Sequence, residues 1–239
     1  MNKYQSLIRN SIFIDFEGEG KRRDKTVPLP HMVGVFRPNA KGKSGKYQAT
    51  FFMKEWHPAV NGSGGKATEC EFVNFFKSVL LECQLNSKLC IFWSIHELKV
   101  LELYLPKGLF NKLSKYTFNL LSDVKRYANL RRNRLLDSGE RARKLDEYFQ
   151  LYYRKRSPFP PISPGPAKTC RRIDRACNSH KRWKKFTDRQ KTYVKDLLAY
   201  NEGDVRCTWL LALKVANAQR LRLSEYQSSL LNKGITHGE

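Results

Sequence analysis

Apolar residues alternate or cluster over five short stretches of the chain, and each stretch predicts a β-strand. The predicted strands are 10–16, 31–36, 46–53, 88–93 and 116–121. The first three follow one another with turn-rich sequence between them, and this succession predicts an antiparallel meander. The last two are separated from the meander, and from each other, by longer segments of a different periodicity.

Helical spacing of apolar residues marks those longer segments. Residues 69–86 and 96–105 each fit one amphipathic helix, and 192–225 fits one or two. Pro106 ends the second helix because proline cannot continue the hydrogen-bond pattern. This order predicts an α/β domain with a mixed five-stranded sheet flanked by helices. The length of 239 residues suits a single domain spanning 1–239.

A basic segment at 124–190 interrupts this pattern. From Lys125 to Lys195 there are 22 Lys and Arg residues against 6 Asp and Glu residues, a net +16 of the whole chain's +23. Five of the ten prolines lie at 158–166, which predicts a stiff spacer between two basic helical pieces. We therefore expect a basic, proline-containing insertion within the single domain.

The excess positive charge predicts a polyanionic partner, with nucleic acid ahead of a membrane surface. No apolar run approaches the ~20 residues of a membrane span. The cationic residues expected to contact nucleic acid are Arg131, Arg132, Arg134, Arg154, Lys155, Arg156, Arg171, Arg172, Lys181, Arg182, Lys184 and Lys185. Interleaved aromatic rings offer surfaces for base stacking, namely Tyr148, Phe149, Tyr152, Tyr153, Trp183 and Phe186. The alternative is a solvated basic face without a ligand.

The cysteines bear on compartment and on metal binding. Six cysteines at irregular spacings, with no secretory signal pattern, predict reduced thiols in a cytoplasmic protein. Cys170, Cys177 and His180 match no compact zinc motif and lack a fourth ligand.

Clustered carboxylates stand out in so basic a chain. Asp15 and Glu17 are two apart on the first strand, so they share one of its faces. Glu97 lies where a buried strand passes into a helix, and Tyr200 and Asp204 share one face of the late helix. Carboxylates brought together without cations repel each other, and two divalent ions would relieve that repulsion and activate water for attack at phosphorus. Mg²⁺ and Mn²⁺ prefer such ligands.

Three segments resemble a known family. Ile-Phe-Ile-Asp-Phe-Glu-Gly at 12–18 resembles the first motif of the DEDD-type nucleases, which have a ribonuclease-H-like fold. Tyr-Asn-Glu-Gly-Asp at 200–204 resembles their third motif in its tyrosine form. The longer stretch 197–215 is similar to predicted ribonuclease-H-like nucleases found beside or fused to RecB-type nucleases and helicases. Their second motif often ends in Glu, which 91–97 matches.

The resemblance implies two metal ions held by Asp15, Glu17, Glu97 and Asp204. It also implies that Tyr200 orients or deprotonates the attacking water. The resemblance covers about 10–105 and 192–215, with a weaker match around 120–124, and it does not extend to the basic segment.

The second motif departs from the tyrosine-type exonucleases, whose pattern is Asn-x-x-x-Asp. Because this chain has Trp93-Ser-Ile-His-Glu97 instead, Asp123 is the reserve metal ligand. His96 is expected to be structural or to contact a phosphate or water. Glu19 and Glu202 are expected on the rim or in solvent.

These observations predict a metal-dependent nuclease acting on DNA or RNA, in the first place a 3′→5′ exonuclease using two Mg²⁺ or Mn²⁺ ions. The alternatives are an endonuclease or RNA–DNA hybrid nuclease of the same fold, and an inactive nucleic-acid-binding module. The context of the similar nucleases suggests a helicase or another nuclease as a partner.

Overall fold

A six-stranded mixed sheet forms the centre of the protein. The computed structural model describes residues 2–20, 26–39, 44–130, 142–154 and 161–233. The strands are β1 (Ile12–Glu17), β2 (Met32–Pro38), β3 (Gly45–Phe51), β4 (Ala67–Glu69), β5 (Cys90–Phe92) and β6 (Thr117–Asn119). They lie in the order β4-β3-β2-β1-β5-β6. β1, β2 and β3 pair antiparallel, so the predicted meander is confirmed, whereas β5 and β6 continue parallel to β1.

The predicted number of five strands is wrong, because β4 adds a sixth. It pairs parallel to β3 at the edge of the sheet, with Ala67 opposite Ala49. A strand of three residues is too short to display a period-two pattern, and two of its residues are exposed. The α/β class and the mixed sheet stand as predicted.

Helices surround the sheet. They are α1 (Lys3–Arg9), α2 (His57–Asn61), α3 (Phe72–Leu85), α4 (Ile95–Tyr104), α5 (Lys107–Ser114), α6 (Leu120–Leu130), α7 (Leu145–Tyr153), α8 (Pro166–Ser179), α9 (Asp188–Asn217) and α10 (Glu225–Lys233). The helix predicted at 192–225 is the single 30-residue α9. It begins earlier than predicted because Thr187 caps it, its hydroxyl accepting from the main-chain N–H of Gln190 at 3.3 Å.

The two faces of β1 contact different helices. The ring of Phe16 packs against Phe72 and Phe76 of α3, with centroids 6.0 and 5.9 Å apart. Side chains alternate along a strand, so Asp15 and Glu17 project from the opposite face. Helix α9 packs on β1 and β2 there. The sheet therefore presents both carboxylates to the long helix.

The described part of the basic segment 124–190 packs into the core. Tyr148 and Phe149 of α7 are 5% and 1% exposed, and Phe186 is 3% exposed. The prediction that these three rings stack on bases is wrong, because packing against the domain occupies them. Of the predicted proline spacer, the structure describes residues 161–166.

The remaining aromatic residues of this segment also make internal contacts. The hydroxyls of Tyr152 and Tyr153 donate to the carbonyls of Val124 and Leu210 at 2.9 and 2.8 Å. Trp183 packs so closely on Gly62 that a Cβ there would lie 2.1 Å from its ring. The basic segment is thus part of the folded body wherever the structure describes it.

The cysteines and the helices give two further findings. All six cysteines are free thiols. Cys170 and Cys177 lie on the buried face of α8, and burial raises the pKa of Cys177 to about 12, which disfavours the thiolate that zinc would require. Within the described ranges, no helix has the length and apolar character needed to cross a bilayer.

Candidate metal centre

Asp15, Glu17 and Asp204 meet where α9 crosses the carboxyl-terminal half of β1. One carboxylate oxygen from each lies within 4.8 Å of the others. The strand supplies two of these side chains from one face, and the helix supplies the third. The structure thus brings together three of the four predicted ligands, and this group could hold a metal ion.

Burial and mutual repulsion raise the pKa values of these carboxyl groups. Burial, then the charge of Asp204, raises the pKa of Glu17 to about 8. Burial is also the main cause that raises the pKa of Asp204 to about 7. The pKa of Asp15 is raised well above its ordinary value by burial and then by Glu17. An all-oxygen donor set with excess negative charge fits Mg²⁺ or Mn²⁺.

Asn201 holds this group in place, and the sequence analysis gave it no role. Its side chain is fully buried. Its Nδ2 donates to Asp15 Oδ2 at 2.8 Å and lies 3.5 Å from Glu17 Oε1, while its Oδ1 accepts from the Tyr47 hydroxyl at 3.0 Å. Its position on the apolar face of α9 could have indicated this role from the sequence, because a buried amide requires hydrogen-bond partners.

Gly34 allows α9 to approach this closely. It lies opposite Asp15 in the β1–β2 register. A Cβ at this position would lie 1.4 Å from Asn201 Oδ1. Any larger residue would therefore displace the amide that orients Asp15.

Tyr200 adds a hydroxyl next to the carboxylates. It is half-buried and hydrogen-bonded to Asp204, one helical turn further along α9. Burial, followed by the charge of Asp204, raises its pKa far above the ordinary value. The phenol therefore keeps its proton at neutral pH in the metal-free protein, and the role expected of Tyr200 stays a prediction.

Glu97 lies beside the three-carboxylate group without belonging to it. Its Oε2 accepts from the main-chain N–H and the hydroxyl of Ser94, at 3.1 and 2.7 Å, and so caps α4. Its charge contributes to the raised pKa values of Asp15, Glu17 and Asp204. Glu97 is therefore within electrostatic reach of the site, and its role as a ligand stays a prediction.

The structure gives Asp123 a structural role instead of the reserve role. Its two carboxylate oxygens accept from Arg126 Nη2 at 2.8 Å and from the main-chain N–H of Arg222 at 2.9 Å. These bonds tie α6 to the segment before α10. His96 is exposed, and its main-chain N–H donates to Ser94 Oγ at 3.1 Å.

Of the remaining acidic residues near the site, two lie outside the three-carboxylate group, and a third contributes to its electrostatics. Glu202 is ion-paired with Arg206 at 2.8 Å and Lys66 at 3.6 Å. Glu19 lies in the loop beyond β1. Asp146 of α7 was not predicted, and its charge contributes to the raised pKa of Asp204.

A cleft of about 870 Å³ opens at Asp15, Tyr200 and Asp204. Its walls combine apolar and basic side chains, including Trp93, Leu121, Arg143, Lys144, Leu145 and Ile162. The cleft therefore suits a ligand that has both an apolar and an anionic part.

The cationic residues predicted to contact nucleic acid divide into two sets. Arg131, Arg132, Arg134, Lys155 and Arg156 lie outside the described residues. Arg154 follows α7, Arg171 and Arg172 lie on α8, and Lys181, Arg182, Lys184 and Lys185 are exposed between α8 and α9.

Comparisons of the chain with protein-family models, with curated proteins and with solved structures find no significant match. The proposed function therefore depends on the site itself and on the motif resemblance.

Proposed function

We propose that this chain is a metal-dependent nuclease that hydrolyses phosphodiester bonds in DNA or RNA, acting as a 3′→5′ exonuclease. The observation that carries the proposal is the convergence of Asp15, Glu17 and Asp204 beside a cleft that Asp15 and Asp204 line together with Arg143 and Lys144. Carboxylates hold the cations that phosphoryl transfer uses, and basic side chains attract the phosphate to them.

The donor set determines which residues would hold the ions. Asp15, Glu17 and Asp204 would hold Mg²⁺ or Mn²⁺, and Glu97, whose charge acts on all three, is the further carboxylate proposed for a second ion. When bound, such ions supply the Lewis acidity for attack by water at phosphorus.

The chain's own residues position the reactants. Asn201 fixes the rotamer of Asp15 through the bond to Oδ2. Tyr200, with its proton retained, donates a hydrogen bond to the Asp204 carboxylate. Trp93 offers an apolar surface to the base or sugar, and Lys144 on the same cleft attracts the phosphate.

The exonuclease form of the proposal rests on the resemblance of 12–18 and 200–204 to the first and third motifs of the DEDD-type nucleases. A mixed sheet flanked by helices is compatible with the ribonuclease-H-like fold that this resemblance implies. The proposal includes the ribonuclease-H-like fold and a helicase or a second nuclease as a partner.

A substrate panel tests the proposal. Single-stranded DNA, duplex DNA, RNA and an RNA–DNA hybrid, each 5′-labelled, are incubated with Mg²⁺, Mn²⁺ or EDTA. We expect a ladder that shortens from the 3′ end with metal and no cleavage in EDTA. Closed circular DNA should stay intact, since cutting of circles would identify an endonuclease. Absence of cleavage of every substrate with both metals would contradict the proposal and favour a binding module.

A further inference from the structure

A second cleft, here called the arginine groove, lies between α8 and the start of α9 and has a volume of about 520 Å³. Arg172, Arg175, Arg189 and Tyr193 line it. The guanidinium groups of Arg172 and Arg189 lie 4.9 and 5.9 Å from the centroid of the Tyr193 ring. Both also donate to its phenol oxygen, at 3.0 and 2.7 Å. One tyrosine thus holds two cations beside the same groove.

Within the described ranges, none of Arg172, Arg175 and Arg189 forms an ion pair with Asp or Glu. The neighbouring Asp188 instead contacts Lys191 at 3.5 Å. Like charges held around one side chain repel each other, so an anion in the groove would stabilise the arrangement. The planar fork of a guanidinium matches the oxygens of a phosphate.

The arginine groove and the candidate metal centre lie along one stripe of α9. Arg189, Tyr193, Tyr200 and Asp204 are separated by four, seven and four residues. At 3.6 residues per turn these positions fall within about 60° of one another around the helix. At 1.5 Å per residue, Tyr193 is about 16 Å from Asp204 along the axis. A stacked strand advances about 3.4 Å per phosphate, so roughly five nucleotides would span this distance.

We propose that the arginine groove binds a backbone phosphate of the substrate strand, about five nucleotides from the bond that is cut. This inference rests on the proposed nuclease function and assigns it a strand path along α9. Recognition through phosphate fixes the register of the strand and is independent of base sequence. In this proposal, α8 and the start of α9 contact the substrate strand.

Fluorescence anisotropy with a labelled 12-nucleotide single-stranded DNA in EDTA tests the proposal without cleavage. The variant is Arg172→Gln/Arg175→Gln/Arg189→Gln. The matched control, Lys77→Gln/Lys99→Gln/Lys112→Gln, removes the same charge from exposed positions on α3, α4 and α5. We expect Kd to rise at least tenfold in the arginine variant and no more than about twofold in the control. The slope of log affinity against log salt should fall by about 0.7, the value for one single-strand phosphate contact.

Oligonucleotide length gives the second readout. A three-nucleotide DNA cannot reach from the metal centre to the arginine groove, so wild-type affinity should rise steeply between three and 12 nucleotides. The arginine variant should lose most of that rise. Arg189→Gln alone, at an exposed position, should raise Kd for the longer DNA about threefold and guards against misfolding of the triple variant.

Equal Kd values for the arginine and lysine variants would overturn the groove proposal, even if the wild type cleaves DNA. Absence of cleavage by the wild type would instead overturn the nuclease proposal. The anisotropy measurement would still decide whether the groove binds phosphate, so the two failures are distinguishable.

Discussion

Asn201 donates a hydrogen bond of 2.8 Å from its side-chain amide to Asp15 Oδ2, and this bond joins the long helix α9 to the strand that carries the carboxylates. The same amide accepts from Tyr47 on β3 at 3.0 Å. Three elements that are distant in sequence therefore determine the orientation of one carboxylate. The orientation of a metal ligand depends on such supporting bonds.

Asn201→Ala should weaken the metal centre without removing a ligand. It frees Asp15 to rotate and leaves the buried Tyr47 hydroxyl without its acceptor, so we expect a loss of about 10–100-fold in Mn²⁺ affinity or cleavage rate. A Mn²⁺ titration of the cleavage rate measures this effect. Tyr47→Phe, which removes only the outer bond, should have a smaller effect. An Asn201→Ala protein with wild-type metal dependence would contradict the supporting role.

Gly34→Ala should destabilise the protein, because the added methyl would lie 1.4 Å from Asn201 Oδ1. Relief of such a clash typically costs about 1–3 kcal/mol in the free energy of unfolding, measurable by urea titration. Gly108→Ala is the matched control. In the described part of the chain, no atom beyond the neighbouring residues and backbone of its own helix lies within 4 Å of the corresponding Cβ position. Alanine in a helix is about 0.5–1 kcal/mol more favourable than glycine. Equal stability of Gly34→Ala and wild type would show that α9 can move away without cost.

Glu17→Gln should stabilise the metal-free protein at pH 8. The pKa of Glu17 is raised from 4.5 to about 8, so between these values the folded state holds a proton that the unfolded chain has lost. Ionisation of Glu17 therefore lowers stability as pH rises through this window. In EDTA we expect the variant's Tm to exceed that of the wild type by several degrees at pH 8, at about 2–4 °C per kcal/mol, with little difference at pH 4.

Mn²⁺ should reverse that order at pH 8, because the wild type has the full set of carboxylates to bind the ion. Differential scanning fluorimetry with EDTA or Mn²⁺ measures both conditions. A Glu17→Gln protein that is less stable than the wild type at pH 8 in EDTA would contradict the electrostatic account.

Two variants, Glu97→Gln and Ser94→Ala, distinguish metal binding by Glu97 from its capping of α4. Glutamine can still accept the hydrogen bonds from Ser94, so Glu97→Gln should leave Tm nearly unchanged but weaken Mn²⁺ binding. Ser94→Ala removes the side-chain cap of α4 and should cost about 1 kcal/mol of stability. It should weaken Mn²⁺ binding less than Glu97→Gln does, because the main-chain N–H of Ser94 still holds Glu97 Oε2. Isothermal titration with Mn²⁺ and thermal unfolding give the two readouts. Unchanged Mn²⁺ affinity in Glu97→Gln would restrict Glu97 to capping.

The local part of the site follows from the sequence. Asp15 and Glu17 are two apart on a β-rich run, so their shared face depends only on strand geometry. Tyr200 and Asp204 are four apart on a helix, and their contact depends only on helical periodicity. The antiparallel meander follows from the succession of three strands, with a turn-rich connection between β2 and β3. These features require no knowledge of which elements pack together.

The other features of the site depend on which helices and strands pack together. A pattern within one segment does not provide this information. Gly34 and Asn201 touch because α9 crosses β2 at that point. Tyr148 has the composition of a base-stacking residue, yet α7 lies against the domain and buries it. Asp123 has the type and location of a ligand, but Arg126 and the chain before α10 use its oxygens.

The cleavage assay with Asp204→Asn tests the central claim most directly. A 5′-labelled single-stranded oligonucleotide is followed with Mn²⁺ or EDTA, and Asp196→Asn, at an exposed position on the same helix, is the control. We expect metal-dependent shortening by the wild type and by Asp196→Asn. Asp204→Asn should be slower by at least about 100-fold but should bind the oligonucleotide with similar affinity. Cleavage by Asp204→Asn at the wild-type rate would contradict the assignment of the metal centre.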